Sequence, residues 1–267
     1  MREGGIDEAI RSGRSVGTQP ESSGRSQPVA PERLASPFDS APPDAVRSAG
    51  DPRASADAQA SVSARDPHAS ADAQASVEDD VDLLRAHEYG LLALLFGRAP
   101  TAEVLARVAE LRGDASPLGL AHIHLAEAAA ARDAASVSRE FFDLFVGVAR
   151  GELLPYASYY LTGYLHERPL ARVREDLARL GIERVEEQRE PEDHIAILCE
   201  VMAGLCAGRF EAEPGADRAF FERHLQPWAA RFFADCETSR HGRFYRAAGA
   251  VGRMFMEIEA QAFAMEA

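Results

Sequence analysis

Lysine and asparagine are both absent from the 267 residues, so all 29 basic side chains are arginine. That usage follows from GC-rich codon choice and carries no functional information. Cysteine is sparse: Cys199, Cys206 and Cys236 sit in helix-like sequence and form no CxxC pair. A disulfide framework and a zinc ribbon are thereby excluded, and a reducing cytoplasm fits. The longest apolar candidates, around Leu91–Phe96 and Ile195–Cys206, are short or carry charges, so no stable membrane insertion is expected. The first 78 residues lack an apolar signal core and carry twelve acidic residues against eight arginines, which argues against an export signal. Positive charge is in deficit throughout. A net charge of −14 argues against nucleic acid as a partner and favours basic ones.

Catalytic signatures are missing as well. There is no GxSxG, HExxH or P-loop, and no histidine has a glutamate three residues before it, as a ferritin-like di-iron site requires. His122 and His124 lie two apart on a helix and point to different faces, so a shared metal site is not expected. Neither a catalytic residue, a metal nor a cofactor is assigned.

What is present divides at residue 79. Residues 1–78 hold eight of the fifteen prolines, and their only Ile, Leu and Phe residues are Ile6, Ile10, Leu34 and Phe38. So little apolar surface cannot offset chain entropy. Within this stretch Asp51–Val62 (DPRASADAQASV) recurs as Asp66–Val77 (DPHASADAQASV), with no apolar face to stack. The reading is a disordered low-complexity tail.

Residues 79–267 carry helical spacing almost throughout, with the other seven prolines at element boundaries. Helices are expected near 80–97, 101–112, 117–131, 134–148, 169–180, 191–207, 216–235 and 241–264. In one of them Leu170, Val173, Leu177 and Leu180 share a face while Arg172, Arg174, Glu175, Asp176 and Arg179 take the other. In another, Ile195, Leu198, Cys199, Met202, Leu205 and Cys206 form the apolar stripe. The fold class is all-α: a single globular multi-helix domain behind the tail.

Two segments break the helical grammar. Gly147–Gly163 (GVARGELLPYASYYLTG) reads as an aromatic loop, in which Tyr156, Tyr159, Tyr160 and nearby Tyr164 supply amphipathic rings. Such rings suit a peptide groove, and they equally suit packing of the loop onto the core. Glu190–His194 (EPEDH) opens a helix, with Pro191 at the first helical position and Glu192 and Asp193 complementing the helix dipole. His194 adds a titratable ring there. A plain cap and a ligand-reading element remain alternatives.

Four phrases, FFDLFVG (Phe141–Gly147), LLPYASYYLTG (Leu153–Gly163), EPEDHIAILCEVM (Glu190–Met202) and HLQPWAARFFADC (His224–Cys236), together resemble the TorD/DmsD family of redox enzyme maturation proteins in order and spacing. The resemblance covers roughly residues 82–265. It implies an all-helical cytoplasmic chaperone, not an enzyme, sometimes exchanged between subunits of a homodimer. Its partners would be a molybdopterin oxidoreductase catalytic subunit and that enzyme's twin-arginine signal peptide, bound until the cofactor is in. By motif match the family's leader-recognition element falls on Glu190, Pro191, Asp193 and His194, with Tyr156, Ser158 and Tyr160 lining the same groove. On that basis Asp193→Ala or His194→Ala is expected to abolish binding in a folded protein. The wording of 153–182 is similar to members accompanying formate dehydrogenases. The alternative within such families is a binder of a molybdenum-cofactor intermediate or a nucleotide, although no phosphate-cradling glycine loop is present.

Overall fold

The computed structural model describes residues 67–183 and 189–265. Among these, ten α-helices follow in order: α1 (Pro67–Gly97), α2 (Ala102–Val108), α3 (Pro117–Ala130), α4 (Ala134–Phe141), α5 (Ala157–Thr162), α6 (Arg168–Arg179), α7 (Ile195–Cys206), α8 (Ala216–His224), α9 (Ala229–Thr238) and α10 (Phe244–Met265). The all-α expectation holds. Helix α1 starts within the stretch assigned to the tail, and residues 1–66 of that assignment lie outside the described residues.

Local chemistry sets several helix starts. Thr101, Ser116 and Asp133 each accept a backbone N–H of the first turn of α2, α3 and α4. Pro117 and Pro169 sit at the beginnings of α3 and α6, where a missing N–H costs nothing.

The expected helix 134–148 instead closes as a π-helical turn at Phe142–Val146. Gly147 N–H bonds back to the Phe142 carbonyl at 2.6 Å, and its φ of 63° ends the run. The expected helix 216–235 is two helices, parted at Leu225–Trp228 around Pro227.

Helix α7 runs through the middle: Ile195, Leu198, Cys199, Val201 and Met202 are all fully buried, and α1 lies along it. Helix α10 packs on α9 and α3. Around Phe96 of α1, the rings of Phe145, Phe232, Phe233 and Tyr245 stand 5.3–5.8 Å away in edge-to-face geometry. The α9–α10 approach depends on two missing side chains. A Cβ on Gly249 would lie 2.7 Å from both Cys236 Cβ and the Phe233 carbonyl oxygen, and one on Gly252 would lie 2.5 Å from the Phe233 ring.

Candidate functional site

Two segments 35 residues apart meet where α5 and α7 begin. Tyr156 and His194 form an isolated antiparallel bridge, in which Ala157 N–H donates to the Asp193 carbonyl at 3.0 Å and Ile195 N–H to the Pro155 carbonyl at 2.9 Å. This pairing holds 192–194 out of helical geometry, so α7 starts at Ile195 and not at Pro191 as its spacing suggested. Pro191 is half-buried, and its carbonyl accepts His194 N–H at 3.0 Å.

His194 is the N-cap of α7: its Nδ1 accepts Ala196 N–H at 3.1 Å, which places the ring proton on Nε2. Burial lowers its pKa to about 4, against an opposing pull from Glu190, so the imidazole is neutral. Asp193 is 1% exposed, and its Oδ2 accepts both Ser158 N–H, at 2.8 Å, and the Ser158 hydroxyl. Tyr156, the N-cap position of α5, makes no side-chain cap bond, so the Asp193 carboxylate from the other segment caps that helix. Asp193 Oδ1 is buried without a hydrogen-bond partner among the described residues.

The clasp opens to solvent at one edge. Tyr156 Oη donates to Oε2 of exposed Glu190 at 2.5 Å, and the Tyr156 ring meets the His194 ring edge-on at 5.1 Å. Burial first, then this bond, raises the phenol's pKa and keeps it a donor. At the end of α5 and just after it, Leu161, Tyr164 and Leu165 are 43%, 71% and 40% exposed and present apolar surface. Buried Glu192 is paired with Arg174 of α6 at 2.9 Å.

Of the residues singled out from the sequence, Tyr156, Ser158, Glu190, Asp193 and His194 come together. Tyr160 turns the other way: it packs on Trp228 and Phe232 and donates to Asp235 of α9 at 2.9 Å. It anchors the clasp to the core. Arg231, whose guanidinium lies 5.4 Å over the Tyr160 ring, and Arg150, which donates to Tyr159 Oη at 2.7 Å, had no sequence signal marking them. Because Ser158, Asp193 and His194 are buried in mutual contacts, their removal acts first on local folding. Among the described residues no group of three or more His, Cys, Asp or Glu side chains could hold a metal ion, and no helix is long and apolar enough to cross a membrane.

Comparison with known proteins places this clasp in context. The family described as nitrate reductase delta subunit matches residues 112–234, which include both segments. The chain is 33% identical over 141 residues to the chaperone protein TorD of Aliivibrio fischeri, covering 49% of this chain and 65% of that protein. It is 30% identical over 130 residues to TorD of Vibrio cholerae, covering 45% and 59%. The chain therefore spans less than two thirds of the length of these curated relatives. A crystal structure of a candidate redox enzyme maturation protein from Archaeoglobus fulgidus matches at 21% identity and a TM-score of 0.47, over 65% of this chain and 93% of that one. Over residues 112–234 the chain is thus similar to the nitrate reductase delta subunit family, and over about half its length to TorD chaperones.

Proposed function

We propose that this protein is a non-catalytic cytoplasmic chaperone that binds the twin-arginine leader, the apo form, or both, of a molybdopterin oxidoreductase before export. The observation that carries the reading is the clasp, in which the aromatic and EPEDH segments join and leave Glu190, Tyr156 and the α5 end facing solvent. A leader of this kind has paired arginines followed by an apolar run. The Glu190 carboxylate offers a guanidinium partner, and Leu161, Tyr164 and Leu165 offer apolar cover. A net charge of −14 steers a basic peptide inward. Relatives named as chaperones support the class. Within the clients, the wording of 153–182 favours a formate dehydrogenase.

In this account Asp193, Ser158 and His194 shape the surface and do not touch the peptide, while Glu190 and Tyr156 do. Calorimetric titration with a synthetic twin-arginine leader, against a twin-lysine version, tests it. Saturable binding weakened by the lysine swap supports leader reading. Absence of binding to several leaders by folded protein overturns it.

A further inference from the structure

Tyr159 of α5 already holds a guanidinium. Arg150, from the exposed turn before α5, has its Cζ 5.1 Å from the centre of the Tyr159 ring, and its Nη2 donates to the Tyr159 hydroxyl at 2.7 Å. The ring is half-buried and stands edge-on to Tyr160 at 6.0 Å, which makes it a fixed shelf. The arginine is not fixed in the same way: residues 148–150 are exposed, and its partner in this contact is a neutral phenol. An exposed cation–π contact shifts an equilibrium by only about two- to fivefold, so one guanidinium can replace another there. The neighbouring pair differs. Arg231 lies 5.4 Å over the Tyr160 ring, but that ring is packed on Trp228 and bonded to Asp235, as part of the α5–α9 packing.

Position gives the shelf its use. Tyr156, whose hydroxyl is bonded to Glu190, is the N-cap position of α5, and Tyr159 lies about one helical turn, roughly 5 Å, further along. Neighbouring Cα atoms of a peptide stand about 3.8 Å apart, so two consecutive arginines on long side chains span Glu190 and Tyr159 together. We propose, resting on the leader reading above, that the Tyr159 face is a second guanidinium subsite: Glu190 takes one leader arginine and Tyr159 the other, which displaces Arg150 as the chain's own placeholder. Lysine also stacks on a tyrosine ring, so the choice of arginine over lysine stays with Glu190, while Tyr159 selects for positive charge.

The test is a calorimetric cycle on the full chain with a synthetic twin-arginine leader and with the two leaders in which one or the other arginine is glutamine. Arg150→Ala removes the competitor and is expected to tighten the twin-arginine leader by roughly two- to fivefold, the scale of one exposed cation–π contact. In a Tyr159→Leu background that gain is expected to vanish, whereas simple relief of charge repulsion would persist. Tyr159→Leu itself is expected to abolish the affinity cost of one arginine-to-glutamine replacement and to leave the other, read by Glu190, in place. Melting curves confirm folding, and Tyr159→Met, which fills similar volume without a ring, replaces the leucine variant if that one is unfolded. Unchanged or weaker binding by folded Arg150→Ala, a gain that survives without the Tyr159 ring, or two glutamine costs that are both indifferent to that ring overturns the subsite and leaves the Glu190 reading standing. Absence of binding of any leader to the folded unmodified chain overturns both.

Discussion

Arg85 of α1 grips Glu259 of α10 across 174 residues of sequence: Nε donates to Oε1 and Nη2 to Oε2, each at 2.9 Å. The Glu259 side chain is 3% exposed and also accepts the Tyr89 hydroxyl at 2.9 Å, while Arg85 reaches Asp217 at the start of α8 at 2.9 Å. One guanidinium thus ties α1, α8 and α10 together. Coulombic attraction in such a site is offset by desolvation, so the network specifies which helices meet more than it adds stability.

Removing one partner strands the other. Glu259→Ala leaves the Tyr89 hydroxyl and the Nε and Nη2 groups of Arg85 unmatched, with only Nη1 still held by Asp82 and Asp217, and is expected to destabilise by roughly 3–5 kcal/mol. The double replacement R85M/E259L is expected to cost much less than the sum of the single losses. Denaturant unfolding of the singles and the double checks this.

Gly249 and Gly252 give a prediction whose sign opposes helix propensity. Alanine is favoured over glycine in a helix interior by about 1 kcal/mol. Here a Cβ at Gly249 would stand 2.7 Å from the Phe233 carbonyl oxygen and Cys236 Cβ, so α9 and α10 must separate to admit it. Gly249→Ala and Gly252→Ala are expected to destabilise by roughly 1–3 kcal/mol, read as a lower melting temperature. Unchanged or raised melting would show that the two helices are not in such close contact.

His194 predicts an acid-side loss of stability. In the folded chain the buried ring takes a proton only near pH 4, against an ordinary value of 6.5. Between these values the unfolded chain holds more protons, so this contribution is complete above about pH 6.5 and falls away as pH drops toward 4. Over that window the loss is of the order of 3 kcal/mol. His194→Asn keeps an acceptor for Ala196 N–H but removes the titration, and is expected to flatten this part of the stability–pH curve relative to the unmodified chain.

The extent to which sequence exposes such features differs from helix to helix. Helix α6 was legible because Leu170, Val173 and Leu177 recur on one buried face. The polar side of the same helix was not, since Asp176 is buried against His224 Nε2 at 2.6 Å, a partner 48 residues away. The stripe read on α7 is buried or nearly so, but Ile197 and Ala203 are buried too, because the helix is packed on more than one side. Helix α5 looks like loop in sequence: six residues are too few to show a period, although Gly163 at φ 85° marks its end. At the clasp, the EPEDH cap was readable, with His194 as the capping residue in place of the dipole-facing carboxylates. That Asp193 caps a different helix could not be read, because the pairing depends on tertiary structure.

The central claim is that Glu190 reads a leader arginine, and a double-mutant cycle tests it most directly. Twin-arginine and twin-lysine leaders are titrated into the unmodified chain and into Glu190→Gln, with melting curves confirming that both proteins are folded. The account predicts that the unmodified chain prefers the arginine peptide by about tenfold, the scale of one charge-assisted contact, and that Glu190→Gln loses most of this preference while changing lysine-peptide affinity less. An undiminished preference in folded Glu190→Gln would contradict it and place the leader elsewhere on the molecule.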